Sequence, residues 1–209
     1  MIRVLIVDDH PIIRRGLRDI VADEPGLEPA GEASTGAEAL DAVRRQLPGC
    51  VLMDITMPGR TGLETLHDLK AEFPRLPVLM LSMHPEDQYA LRALKGGADG
   101  YLTKESAPEE LVGAIRKVVA GGRYVSASLA ERLAAEIGGH AGKPPHESLS
   151  DREYQVLREI GRGKPVSQIA AEMSLSVKTV STYRTRILEK MNLQHTADLI
   201  RYALENGLG

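Results

Sequence analysis

Apolar residues follow two rhythms along this chain. In the first part, short unbroken apolar runs occupy Val4 to Val7, Leu27 to Gly31, Val51 to Met53, Val78 to Leu81 and Gly100 to Leu102. Between them lie longer stretches of helical spacing, Pro11 to Asp23, Gly36 to Gln46, Gly62 to Glu72, Glu86 to Gly96 and Pro108 to Val119. A continuous apolar run suits a strand buried on both faces, and strands separated by helices imply a parallel sheet with helices on either side. Five such units predict an α/β fold, a doubly wound five-stranded parallel sheet, taken here in the flavodoxin-like strand order 2-1-3-4-5.

The rhythm changes after Gly121-Gly122. Ser126 to Ile137 reads as one helix, and the Gly- and Pro-rich run Gly138 to Pro145 reads as a linker. From Ser148 onward everything is helical in pattern, with helices over Asp151 to Gly161, Val166 to Met173, Val177 to Met191 and Thr196 to Asn206. The expected organisation is a first domain over residues 1–122, a linker with one helix over 123–147 and a small all-α domain over 148–209.

In an open parallel sheet, ligands bind beyond the C-terminal ends of the strands, where the winding reverses. Asp8 and Asp9 follow the first strand, Asp54 the third, Ser82 the fourth and Lys104 the fifth. In the expected strand order these four strands are neighbours, so three carboxylates, a hydroxyl and an ammonium meet at one edge. Clustered carboxylates call for a hard cation, and Mg²⁺ suits one or two of them plus water. An aspartate beside such a cation and a lysine is a good acceptor for a phosphoryl group, which it attacks covalently while the positive charges neutralise the developing one.

Composition narrows the setting. Among 209 residues, 43% are apolar, 26% charged and only 3% aromatic, so the cores must be aliphatic. No apolar stretch reaches the roughly 18 residues a membrane span requires, and the start Met-Ile-Arg-Val-Leu runs straight into a strand pattern without a signal peptide. Cys50 is the sole cysteine, which excludes an internal disulfide. A cytoplasmic protein without membrane partners is expected. Charge is uneven, with a net −4 over residues 1–125 and +2 over residues 148–209. Two domains with different partners follow from that split.

The basic end carries a second pattern. Residues 169–191, "IAAEMSLSVKTVSTYRTRILEKM", hold two helical patterns with a short break at Ser174-Leu175-Ser176, with Ser176 a natural N-cap for the second. Ile169, Ala170, Met173, Leu175, Val177, Val180, Ile187, Leu188 and Met191 form the apolar stripe. Lys178, Ser181, Thr182, Arg184, Thr185, Arg186 and Lys190 occupy the other side. A short turn before a basic, hydroxyl-rich helix is the helix-turn-helix pattern, whose second helix enters the major groove.

The quoted stretches "LIVDDHP", "VLMDITMPGRTGLE", "VLMLSMH" and "GADGYLTKES" resemble a response-regulator receiver domain. The stretches "LSDREYQVLREIGRGK", "VSQIAAEMSLSVKTVSTYRTRILEKMNL" and "YALENGL" resemble a LuxR-type DNA-binding domain. Their order is that of the NarL/FixJ class of response regulators. The resemblance implies that Asp54 is the phosphoacceptor and that Asp8, Asp9, Asp54 and the backbone carbonyl of Thr56 hold Mg²⁺. It implies that Ser82 and Lys104 bind the phosphoryl group and that Tyr101 is the switch aromatic. Thr56 and His84 fall at variable positions flanking the site. On the DNA side it makes Ser181, Thr182 and Thr185 base-reading residues, and Lys178, Arg184, Arg186 and Lys190 phosphate contacts. A sensor histidine kinase and double-stranded DNA with paired half-sites are the implied partners. The last helix, exposing Leu199, Ala203 and Ile200, would support a dimer.

The sequence departs from the family at Glu105, where a proline often follows the lysine through a cis bond. It also departs at Pro165-Val166-Ser167-Gln168, where a capping serine and a basic contact are usual, so fewer phosphate contacts are expected. Two rivals stand beside the reading of a phosphorylation-switched transcription regulator that is not an enzyme. An aspartyl phosphohydrolase would want Asp-x-Asp after the first strand, and this chain has Asp8-Asp9-His10-Pro11. A phosphorylation-independent DNA-binding or scaffold protein would not need the complete acidic set.

Overall fold

The computed structural model describes residues 1–83, 86–126, 129–131 and 144–208. The chain divides into two compact units, Met1–Gly138 and Gly139–Gly209. The expected helix over Ser126 to Ile137 is described only at Ser126, which precedes the helical turn, and at residues 129–131, which are helical; the rest of it, most of the linker and His84 lie outside the described residues.

The first unit alternates strand and helix throughout: β1 (Ile2–Val7), α1 (Pro11–Asp23), β2 (Leu27–Ala33), α2 (Gly36–Arg45), β3 (Cys50–Asp54), α3 (Gly62–Glu72), β4 (Val78–Ser82), α4 (Glu86–Lys95), β5 (Gly100–Thr103) and α5 (Ala107–Val119). All strand pairs are parallel, in the order β2-β1-β3-β4-β5. This is the flavodoxin-like order, one of the common orders of doubly wound sheets. Every residue of β3 and β4 is buried, as uninterrupted apolar runs require. Side chains alternate across the sheet. Val4, Ile6, Leu52, Leu79, Leu81 and Leu102 therefore share one face, packed with Leu17 and Val21 of α1 and Leu111 and Ile115 of α5.

Helix starts follow local chemistry. Thr61 and Glu64 form a reciprocal capping box that opens α3, with the Thr61 Oγ1 accepting from Glu64 N and the Glu64 carboxylate accepting from Thr61 N. Pro11 supplies the first residue of α1, where its missing N–H costs nothing. Below the sheet's other end, the Lys70 ammonium donates to Leu76 O and Asp99 Oδ2, both at 2.7 Å, and Asp99 Oδ2 also accepts from Val78 N. That knot ties α3 to the entries of β4 and β5.

The described part of the second unit holds a short 3-10 turn, Pro145–Ser148, followed by α6 (Asp151–Gly161), α7 (Val166–Glu172), α8 (Val177–Met191) and α9 (Thr196–Glu205). In the turn, His146 Nδ1 lies 2.8 Å from the Tyr202 hydroxyl of α9, and its ring rests against Tyr154 of α6. Ser150 and Glu153 cap α6 reciprocally. Ser176 caps α8 by accepting from Thr179 N, as its position suggests. Pro165 is the residue before α7 and has no side-chain acceptor, so that helix starts without a side-chain cap. Between α7 and α8 the chain reverses through Ser174 in the left-handed region, φ 54°, and Leu175 N donates to Ala170 O.

Two expectations about apolar faces need correction. Leu199 and Ala203 are fully buried, not exposed, and Ile200 is half-buried. The i, i+4 pair faces inward because α9 packs chiefly on α6; the leucine that α9 does expose is Leu204. Val177, counted in the apolar stripe of α8, is exposed because it is the first helical residue, ahead of where the stripe meets its partners.

Candidate functional site

Four strand ends converge at the C-terminal edge of the sheet. Asp8 is the first residue beyond β1, Asp54 the last of β3, Ser82 the last of β4 and Lys104 the first beyond β5. Asp8, Asp54 and Ser82 are buried, while Asp9 is partly exposed. Lys104 reaches back into the cluster: its Nζ is 2.6 Å from Asp8 Oδ2 and 3.0 Å from Asp54 Oδ1, and its side chain is almost wholly enclosed. The backbone holds it there, because Lys104 N donates to Ser82 O at 2.8 Å. The Lys104–Glu105 peptide is trans, like every described peptide bond.

Burial pushes the Asp54 carboxyl up to about 6. Lys104 pulls it down, while Asp8 and, more weakly, Asp9 add to the rise. Crowded carboxylates of this kind favour either a proton or a cation. Asp8, Asp9, His10 and Asp54 each offer one donor atom, all within 4.8 Å of one another. Carboxylate oxygens at that spacing fit a hard divalent cation with retained waters. Thr56, two residues past Asp54, is exposed.

Three supporting features went unread in the sequence. Arg14 Nη1 donates to Asp8 O at 2.6 Å, bracing the loop after β1 from helix α1. His10 N donates to Asp8 Oδ1 at 2.9 Å, and His10 Nδ1 lies 2.8 Å from Asp9 Oδ1. A residue two positions after an aspartate is the ordinary donor to it, so an Asx-turn at Asp8-Asp9-His10 was the available signal. Gly62 packs so closely under Asp54 that any Cβ there would collide with the Asp54 carbonyl oxygen and the Ile55 backbone. Gly62 N in turn donates to Ile55 O at 2.9 Å. The Asp54-to-Gly62 spacing is thus a packing requirement that seats α3 beneath the acidic edge.

Tyr101 lies within β5 opposite Met80 and is fully buried. Its backbone N–H donates to Tyr124 O, which extends the β5 edge.

In the second unit, Lys178, Thr182, Thr185 and Arg186 of α8 are exposed, and Ser181 and Arg184 are half-buried. Thr182 Oγ1 donates to Lys178 O at 2.9 Å and Thr185 Oγ1 to Ser181 O at 3.1 Å. Their hydroxyl protons are therefore used on the helix, and outward they offer lone pairs. Lys190 differs from the rest: its Nζ is 2.6 Å from Glu153 Oε2 of α6. Burial raises the Glu153 carboxyl, but Lys190 and Ser150 outweigh it and hold the group below the usual range. Lys164 is similarly held between Glu159 and Glu172, both at 2.6 Å.

Comparison with known proteins agrees with both halves. Residues 4–116 match the response regulator receiver domain, and residues 147–203 match the luxR family of bacterial regulatory proteins. Over its whole length the chain is 38% identical to response regulator UvrY of Escherichia coli K12, covering 96% of it. It is 39% identical to response regulator GacA of Pseudomonas aeruginosa PAO1, covering 98% of that protein. Among solved structures, a LuxR-family two-component response regulator from Aurantimonas is 38% identical, with TM-score 0.61, covering 65% of this chain and 97% of that one. RcsB of Salmonella enterica serovar Typhimurium, bound to promoter rprA with the phosphomimetic BeF3-, is 25% identical. Its TM-score is 0.65, with 97% of this chain and 98% of that one covered. The chain belongs to the response regulators that join a receiver domain to a LuxR-type DNA-binding domain, the transcription regulators of two-component systems. Among its described residues no helix is long and apolar enough to cross a membrane.

Proposed function

We propose that residues 1–122 receive a phosphoryl group on Asp54 and that residues 148–209 bind DNA in response, with residues 123–147 joining the two. The observation that carries this reading is the bridge of Lys104 Nζ between Asp8 and Asp54, which gathers one cation and two buried carboxylates at the ends of three strands. In this reading a partner histidine kinase supplies a phosphohistidine. Asp54 Oδ attacks phosphorus, the P–N bond breaks, and the leaving imidazole nitrogen keeps its electron pair and takes up a proton. Asp8, Asp9, Asp54 and the Thr56 carbonyl would hold Mg²⁺, which when bound supplies charge neutralisation at the phosphoryl oxygens. Ser82 donates a hydrogen bond to the phosphoryl group and Lys104 shifts from the bare carboxylates to pair with it. The movement of Ser82 makes room at the edge of β4, and Tyr101 of β5 follows.

The output is double-stranded DNA with paired half-sites, bound by a dimer of the chain in the cytoplasm. Ser181, Thr182 and Thr185 would read base edges, while Lys178, Arg184 and Arg186 contact phosphates. Short hydroxyl side chains discriminate weakly between bases, so groove shape carries part of the specificity. A shift from 1:99 to 99:1 in favour of the active form needs about 5.5 kcal/mol of differential stabilisation; charge-assisted hydrogen bonds and dimer contacts are the sources. The chain acts as a switch and not as a turnover catalyst.

The test is acyl-phosphate labelling with a small phosphodonor and Mg²⁺, followed by DNA binding of the same samples. Wild type should label and bind more tightly once labelled, and Asp54→Asn should do neither. Undiminished labelling of Asp54→Asn would remove Asp54 from its role. Equal DNA affinity of labelled and unlabelled wild type would favour a phosphorylation-independent DNA-binding protein.

A further inference from the structure

The basic side of α8 is not uniform. At 100° per residue, Lys178, Ser181, Thr182 and Thr185 fall within an arc of about 100°. Val180, Ile187 and Met191 are buried on the opposite side. Lys190 projects about 130° away from the middle of the arc and about 18 Å beyond Lys178 along the axis. Its side chain is directed at α6, where Glu153 Oε2 receives it at 2.6 Å. The Glu153 side chain is only 4% exposed, and the same Oε2 also accepts from Ser150 N at 2.8 Å in the capping box. One oxygen therefore serves both the start of α6 and the last turn of α8.

We infer that Lys190 is a positioning residue: with Glu153 it fixes the C-terminal end of α8 against the N-terminus of α6, and so sets the angle at which the reading stripe of α8 meets a major groove. This rests on the DNA-binding reading above and changes one assignment within it, since the position of Lys190 in the sequence otherwise suggests a phosphate contact. A lysine committed to a carboxylate that is nearly closed to solvent does not release counterions from DNA. Its removal instead leaves Glu153 charged and poorly solvated beside the capping box.

Salt dependence separates the two roles. A phosphate contact contributes about 0.9 to the slope of log affinity against log salt concentration, whereas a strut contributes nothing. The experiment uses the full chain, treated with a small phosphodonor and Mg²⁺, on a fluorescein-labelled duplex of mixed sequence across a salt series. Lys190→Met, Glu153→Gln and the double variant are compared with wild type. Glutamine retains an oxygen for Ser150 N, so Glu153→Gln keeps the cap and loses only the charge; it serves even if Lys190→Met does not fold. The expected result is that both single variants and the double variant lose affinity by a similar factor with the slope unchanged. Arg186→Ala, in contrast, should lower the slope by about 0.9. The inference is overturned if Lys190→Met lowers the slope as Arg186→Ala does, or if Glu153→Gln binds as tightly as wild type or tighter. Failure of the wild-type chain to bind the duplex would instead overturn the DNA-binding reading, and this inference with it.

Discussion

Replacing Asp54 with Asn should stabilise the fold, although it destroys the proposed phosphoacceptor. The Asp54 carboxyl is pushed up to about 6 from the ordinary 3.8, chiefly by burial, with Lys104 opposing and Asp8 adding. In the folded chain the group therefore binds a proton below pH of about 6, and in the unfolded chain only below about 4. Between those values the folded state holds more protons, so this group's contribution to stability falls as pH rises through the window. Above it, a constant penalty remains. Two pKa units at about 1.4 kcal/mol each put that penalty at about 3 kcal/mol. Asparagine carries no charge to desolvate, so Asp54→Asn should gain up to about 3 kcal/mol at pH 7.5, with the difference shrinking towards pH 4. The assay is urea or thermal unfolding of both proteins from pH 4 to 8 in the presence of a chelator. Taking the difference between them cancels the titrating groups that lie away from Asp54, and leaves Asp54 with the neighbours coupled to it, Lys104, Asp8 and Asp9. A rise in the melting temperature of the first unit by several degrees at neutral pH is expected, at about 4 °C per kcal/mol for a unit of that size. Added Mg²⁺ should stabilise wild type and do much less for the variant. An Asp54→Asn protein no more stable than wild type at pH 7.5, or a difference that does not change with pH, would refute the claim that burial dominates at this carboxyl.

Two further outcomes follow from packing. Gly62→Ala forces a methyl group against the Asp54 carbonyl; it should cost about 3 kcal/mol or more in urea unfolding, since backbone cannot yield as a side chain does, and acyl-phosphate labelling should fall with it. Leu199→Ala should cost about 2–5 kcal/mol because the side chain is fully buried, whereas Leu204→Ala should stay within about 0.5 kcal/mol in the same melt; equal losses would mean that α9 is turned the other way.

The sheet and its acidic edge were legible because both depend on short-range signals. Short unbroken apolar runs such as Val78 to Leu81, set between helical stretches, suit doubly buried strands, and a parallel order places their ends together. Asp8, Asp54, Ser82 and Lys104 then meet without any knowledge of side-chain angles. The misread residues depend on which side of a helix another element lies. Leu199, Ala203 and Leu204 are all apolar and all on one helix, and only the position of α6 decides which are covered. Lys190 belongs to the same class: its charge is visible in the sequence, but Glu153, its partner 37 residues away, is not. Gly62 stands within the stretch that resembles a receiver domain, but its reason, the closeness of α3 to the Asp54 carbonyl, exists only in three dimensions.

The bond between His146 and the Tyr202 hydroxyl bears on how the DNA-binding half is excised as a reagent. A fragment starting at Ser148, where the all-helical pattern begins, would discard the imidazole and leave Tyr202 to find water. The loss is about 1 kcal/mol, together with the ring contact to Tyr154. It falls on α9, so such a fragment would be weakest in the helix expected to pair with its twin. Cutting before Pro144 keeps the clasp shut, and whether a truncated fragment dimerises would then reflect the protein and not the scissors.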